Sequence, residues 1–186
     1  MSFVHLHVHS YYSVLDGAAP IKSLFQRAAA DKQPALAITD HGNMFGVKEF
    51  FKVAKGFPDI KPIVGCEVYV NPEGRFTKRG REDQSANHLI LLAKNLQGYY
   101  NLVKLVSLGH VEGFYYKPKI DKQLLEQYHE NLICSSACLA GEVPQKIRKG
   151  DIAGARESIL WYKKLFGEDY YLEVQLHKTE VPGMSN

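Results

Sequence analysis

Short apolar runs alternate with stretches of helical spacing along this chain, and that alternation most limits what it can fold into. The runs expected as strands cover residues 3–8, 35–38, 62–70, 89–93, 132–135 and 170–175. Ala35-Leu36-Ala37-Ile38 is apolar at every position, as a strand covered on both faces must be. Between the runs, Pro20 opens a helix in which Ile21, Leu24, Phe25, Ala28 and Ala29 recur at three- and four-residue steps. Val47, Phe50, Phe51 and Ala54 mark a second helix, stopped near Gly56 and Pro58, and Tyr99, Leu102, Val103 and Val106 a third. Asp121 fits the N-cap of a short helix carrying Leu124 and Leu125, and helical stretches follow over 141–148 and 152–166. Strand–helix alternation predicts an α/β fold with a mostly parallel sheet or barrel, its chemistry on the loops at the strand C-terminal ends. With no repeat, low-complexity tract or clean linker, residues 1–186 read as one domain.

The first run carries histidines at every second position, His5, His7 and His9, against Val4, Leu6 and Val8. A strand sends alternate side chains to one face, so the three imidazoles are expected together. The strict alternation argues against a tag remnant and for metal ligation over a merely polar strand face, neutral imidazole being the commonest metal ligand.

Metal-type side chains then recur where later runs end. Asp16 lies in the turn after the first run, Asp40 and His41 directly follow the second, Glu67 lies on the third, and Cys138 comes just after the fifth. Each also has a plainer reading. Asp16 could cap a turn. Asp40 could cap the next helix or orient His41 without touching metal. Cys138 could be a buried small hydrophobe. His88 opens its run instead of closing it, so it joins the others only if that strand returns antiparallel through the polar loop at 71–87. His110, His129 and His177 stand apart and read as surface or internally satisfied residues.

Composition narrows the class. The 186 residues are 45% hydrophobic and 23% charged, ordinary for a soluble globular domain. No apolar run is long enough for a membrane span and no signal-peptide pattern opens the chain, so a cytoplasmic location is expected. A net charge of +3 does not by itself indicate nucleic acid. The locally basic segment with Arg75, Lys78, Arg79 and Arg81 could touch DNA phosphates or be a solvated loop tip. Cys66, Cys134 and Cys138 suggest thiolate ligation or burial rather than a disulfide framework.

A cluster of such nitrogen and oxygen donors can hold several divalent ions. These polarise a phosphoryl oxygen and lower the pKa of bound water to about 7, which points to phosphate-ester hydrolysis. Zn suits histidine with cysteine, while Mn or Fe suits histidine with carboxylate, so the donor set leaves the metal open.

These motifs resemble the PHP (polymerase and histidinol phosphatase) family. The resemblance rests on His7-x-His9, Asp16-Gly17, Thr39-Asp40-His41-Gly42-Asn43, Glu67, His88 and Cys138. It implies a distorted TIM-like barrel of about seven strand–helix units, (β/α)7, with up to three metals held by nine ligands. Metal roles fall to His7, His9, Asp16, His41, Glu67, His88 and Cys138, with His5 and Asp40 as supporting residues. Segments 35–43, 61–65, 91–95 and 112–121 further resemble the branch of the family found at the N-terminus of bacterial replicative DNA polymerases. That branch implies 3′–5′ exonuclease or phosphoesterase chemistry in a nucleotidyltransferase, with DNA, a proofreading exonuclease and other replicase subunits as partners.

The family closes its site with a late Asp-x-His pair, and none follows Cys138. The chain is therefore expected to be C-terminally truncated within the PHP domain, lacking the last strand–helix unit and the polymerase core. Two alternatives stand beside the enzymatic reading: a metal-braced scaffold that docks the proofreading exonuclease or polymerase core, and a free-standing phosphatase for a small ester such as histidinol phosphate.

Overall fold

The computed structural model describes residues 3–78 and 86–176. The elements run α1 (Ile21–Ala30), β1 (Ala35–Ile38), α2 (Val47–Ala54), β2 (Lys61–Val70), β3 (Asn87–Ala93), α3 (Leu96–Val111), β4 (Phe114–Tyr115), β5 (Lys117–Ile120), α4 (Lys122–Tyr128), β6 (Leu132–Ser135), α5 (Glu142–Arg148), α6 (Ile152–Phe166) and β7 (Tyr170–Tyr171). Short polar side chains start several helices: Asn95, Asp121 and Asp151 accept from the backbone N–H of Gly98, Leu124 and Gly154 respectively. Pro20 precedes α1, as its fixed φ favours.

The sheet is mixed rather than mostly parallel. Its order is β4-β5-β2-β3-β6-β7, with β1 also pairing β2. The β1–β2, β2–β5 and β6–β7 pairs are parallel, and β2–β3, β3–β6 and β4–β5 antiparallel. The expected TIM-like barrel is not present among the described residues, because this sheet does not close on itself. The inner-face residues Ile63, Ile90, Leu92 and Ile133 line an open cavity of about 1580 Å³.

Two expected strands are also corrected. Residues 3–8 form no regular strand, although His5 O and Val8 O accept from Ala37 N (3.1 Å) and Thr39 N (2.8 Å) beside β1. Three residues on one side span two on the other, so the ladder cannot stay in register. The run at 170–175 contributes only Tyr170 and Tyr171 to the sheet.

One core lies where β2, β3 and β6 meet α3, α4 and α6, around Cys66, Leu91, Leu102, Leu105, Cys134 and Tyr162. A second joins α1, α2 and β1 around Phe25, Phe50 and Ile38. The first core packs around β2, which carries Glu67, and the second around β1, which His41 follows.

Candidate metal centre

Glu67 is the hub of the centre. It sits on β2 with 1% exposure, where β2 pairs antiparallel with β3 through Glu67↔Ile90 and Tyr69↔His88. This antiparallel return brings His88 to the same end of the sheet. The β1–β2 pairing continues past β1: Glu67 N donates to Asp40 O (3.1 Å) and Gly42 N to Glu67 O (2.8 Å), which lays His41 beside Glu67. Gly42 takes φ +59, and a Cβ there would meet Pro118 Cγ at 2.8 Å and Tyr69 Cε2 at 2.9 Å. Only glycine turns the chain this tightly behind His41.

Four imidazoles surround the Glu67 carboxylate. His7 Nε2 lies 2.8 Å and His9 Nε2 3.7 Å from Oε2. His41 Nδ1 lies 2.5 Å and His88 Nδ1 2.9 Å from Oε1. His7 Nε2 and His9 Nε2 are 3.0 Å apart, and the His9 and His41 rings stack at 4.0 Å. Among the described residues, two trios place ligand atoms within 4.8 Å of one another: His7, His9 and Glu67, and His41, Glu67 and His88. Glu67 belongs to both, so one carboxylate faces two adjacent metal-sized positions. The donors are those borderline and harder divalent ions take, and the residues present fit such ions.

The other expected ligands flank this core. Asp16 Oδ2 is 2.9 Å from His41 Nε2, on a side chain that is 65% exposed. Cys138 Sγ is 3.6 Å from His88 Nδ1. His88 N donates to Ala140 O (3.0 Å), tying the start of β3 to the loop that carries Cys138.

Asp40 supports the centre without facing it. Its carboxylate accepts from Ser10 N (2.6 Å), Ser10 Oγ (2.8 Å) and Ser13 Oγ (2.8 Å). Ser13 Oγ in turn accepts from His41 N at 3.1 Å and lies 3.2 Å from His9 Nδ1, so Asp40 braces the turn between both histidines. His5 is exposed, with its ring on Phe3 at 4.8 Å, away from the cluster. Among the basic residues, Arg75 pairs with Glu112 (2.6 Å) and Asp121 (2.9 Å), which assigns it to holding its loop. Lys78 is exposed, and Arg79, Arg81 and His177 lie outside the described residues.

Glu173 is the residue the sequence reading missed. Its Oε1 is 2.7 Å from His7 Nδ1, its Oε2 accepts from Ser135 Oγ (2.8 Å), and its own N donates to Ser136 Oγ (2.9 Å). It falls inside an expected strand, yet nothing local marks it. A carboxylate two residues from a strand end is the weak signal it offers.

The electrostatics follow from this crowding. Burial alone would lower His7, but Glu173 and Glu67 outweigh it and raise its pKa to about 10. Burial likewise opposes protonation of His88, while Cys138 and Glu67 raise it to about 9. His41 is raised against burial by Glu67 and Asp16. His9 goes the other way, to about 4, through burial and the charge on His41. Burial works against ionising Glu67, yet hydrogen bonds from His41, His7 and His88 hold it far below the usual carboxylate range. Burial would raise Cys138, but His88 pulls it down. Without metal, protons on His7 and His88 supply positive charge beside Glu67, and His41 is shifted in the same direction. Divalent ions would replace those protons.

Fold and cluster together define an α/β domain equipped to hold divalent metal. The chain matches the PHP domain family over residues 5–177 and belongs to that family. It is 50% identical over 176 residues to the DNA polymerase III subunit alpha of Borreliella burgdorferi, covering 94% of this chain and 15% of that protein. It is 51% identical over 179 residues to that subunit from Treponema pallidum, covering 95% of this chain and 15% of the relative. The Thermus aquaticus subunit is 43% identical over 181 residues, again covering 95% and 15%. The chain thus spans about one-seventh of the length of the curated relatives it matches. A solved amidohydrolase from Chromobacterium violaceum aligns over 57% of this chain and 33% of its own, at 28% identity and a TM-score of 0.40. Among the described residues no helix is long and apolar enough to cross a membrane.

Proposed function

We propose that this chain acts as the metal-bearing PHP domain of a bacterial replicative DNA polymerase alpha subunit and hydrolyses phosphodiesters, with a 3′-terminal nucleotide of DNA as its substrate. The observation that carries this reading is the sharing of Glu67 between His7–His9 and His41–His88. A carboxylate that faces two adjacent ion positions suits paired-metal phosphoryl chemistry. His7, His9, Asp16, His41, Glu67, His88 and Cys138 would hold the ions, with Zn or Mn favoured by the donors and Fe a further option. Ions bound there would polarise the phosphoryl oxygen and make water acidic enough to ionise near neutral pH.

The chain's own residues do the rest. Glu173 fixes the His7 ring so that Nε2 faces the cluster. The Asp40–Ser13 contact holds His41 and His9 in place. The half-buried Cys138 and exposed Asp16 lie at the rim. On this reading the partners are DNA and the other replicase subunits, including the proofreading exonuclease.

The test is a His7→Ala/His9→Ala double variant, assayed for metal-stimulated release of nucleotides from the 3′ end of single-stranded DNA. Loss of release together with loss of bound metal is expected. Release at the wild-type level would overturn the reading, and turnover of histidinol phosphate in its place would favour the small-ester phosphatase.

A further inference from the structure

Segment 112–121 stands out in the sequence, yet none of its residues is a metal ligand. It folds as the β4–β5 hairpin and packs directly against the loop that carries His41. Pro118 meets Gly42 so closely that a Cβ on Gly42 would lie 2.8 Å from Pro118 Cγ. At the end of α3, just before the hairpin, His110 Nε2 donates to Gly42 O at 2.9 Å. The hairpin and the end of α3 therefore each contact Gly42, the residue next to a candidate ligand.

This fastening sets three rings in a row. The His110 ring lies 6.2 Å from Phe45, tilted by 46°, and 6.1 Å from Phe114, nearly parallel at 22°. Its hydrogen bond to Gly42 fixes His110 in the middle, while Phe45 and Phe114 are 66% and 52% exposed. Aromatic rings normally hide this much surface, and neither ring belongs to a core cluster. Next to the row, Lys117 Nζ sits 4.6 Å over the ring of Tyr69. Tyr69 itself stacks on His41 at 6.2 Å and meets His88 edge-on at 5.1 Å. An exposed ammonium is thereby held one ring away from two candidate ligands.

We propose that Phe45, His110, Phe114 and Lys117 form a ledge that receives single-stranded nucleic acid beside the metal centre. The inference rests on the phosphodiesterase reading above and adds to it the surface residues that would seat the strand leading to the reacting end. Exposed rings in series stack on the faces of unpaired bases whatever their sequence, and a lysine beside them takes a backbone phosphate. A small phosphorylated metabolite would need neither a row of rings nor a cation outside the ligand cluster.

Fluorescence anisotropy with a short labelled oligothymidylate tests the ledge. It is run in EDTA so that cleavage cannot interfere and the result does not depend on whether metal binds. Phe114→Ala is expected to weaken binding roughly 5- to 150-fold, the range for loss of one stacked base. Lys117→Ala should weaken it as well and flatten the dependence of log K on log salt by about 0.7, the loss of one phosphate contact to a single strand. Lys117→Arg should restore that slope. Both positions are exposed, and the thermal midpoint and the metal content after reloading should match wild type. Wild-type affinity in both alanine variants, or no binding by the unmodified chain, would overturn the ledge while leaving the metal centre standing. Loss of metal from the Phe114 or Lys117 variant would also overturn it, since these residues would then act on the centre itself.

Discussion

The Glu173 carboxylate holds His7 by its Nδ1 at 2.7 Å, which turns Nε2 toward Glu67 at 2.8 Å. A carboxylate behind a ligand imidazole fixes its tautomer and raises its basicity, and removing such a partner typically costs 10- to 100-fold in metal affinity. Glu173→Ala should therefore weaken metal binding by roughly that factor in a chelator competition, with the far-ultraviolet spectrum unchanged. Glu173→Gln keeps an acceptor for Nδ1–H and should lose much less. Equal losses in the two variants would overturn the acceptor role and show that Glu173 acts through its negative charge.

Glu67 and Asp16 predict contrasting outcomes. Glu67 joins both candidate trios, whereas Asp16 meets His41 at the rim and is 65% exposed. Glu67→Gln should abolish the full metal complement measured by elemental analysis. Asp16→Asn should leave most of it bound. A Glu67→Gln protein that still carries metal at wild-type stoichiometry would refute the bridging role.

The raised histidines fix the direction of the pH response. In the metal-free chain His7 is raised from 6.5 to about 10, so its contribution to stability is complete below 6.5 and is lost as pH rises through about 10. Metal affinity runs in the opposite sense, because ions at the two positions must displace the protons on His7 and His88. Calorimetric titration with Mn²⁺ in buffers of different ionisation enthalpy should show net proton release, and affinity should climb with pH across this interval. Binding without proton release would contradict protonated His7 and His88 beside Glu67.

Much of this centre could be read from the chain because its candidate ligands follow local rules. His7 and His9 declare themselves by spacing, and His41 and Glu67 by their positions at or beyond apolar runs. His88 needed one topological step, the antiparallel return that the Tyr69↔His88 pairing bears out. Glu173 was out of reach because its meaning lies in a contact with a residue 166 positions away. The regular strand expected at 3–8 failed for a related reason. Alternation fixes which face a side chain takes, but the ladder also needs a partner in register, and β1 offers this segment two bonds at unequal spacing. The β4–β5 hairpin escaped notice because its strands are two and four residues long and Pro118 lies within one of them.

A last prediction concerns stability away from the centre. Glu142, 7% exposed at the start of α5, accepts from Ser158 Oγ (2.7 Å), Tyr162 Oη (3.0 Å), Lys122 Nζ (3.0 Å) and Lys146 Nζ (3.1 Å). Burial opposes its ionisation, but Ser158 and the two lysines prevail and hold its pKa below the ordinary 4.5. Its stabilising contribution is therefore present above 4.5 and is lost as pH falls through the lower folded value. Glu142→Gln keeps the shape but removes the charge on which four donors converge, so it should cost roughly 1–3 kcal/mol at neutral pH. For a chain of this length the thermal midpoint should fall by roughly 2–12 °C. The gap between the two proteins should narrow in acid, where wild type loses the same charge by protonation. A gap that stayed constant from neutral to acidic pH would mean that packing, rather than the ionised carboxylate, joins α5 to α6.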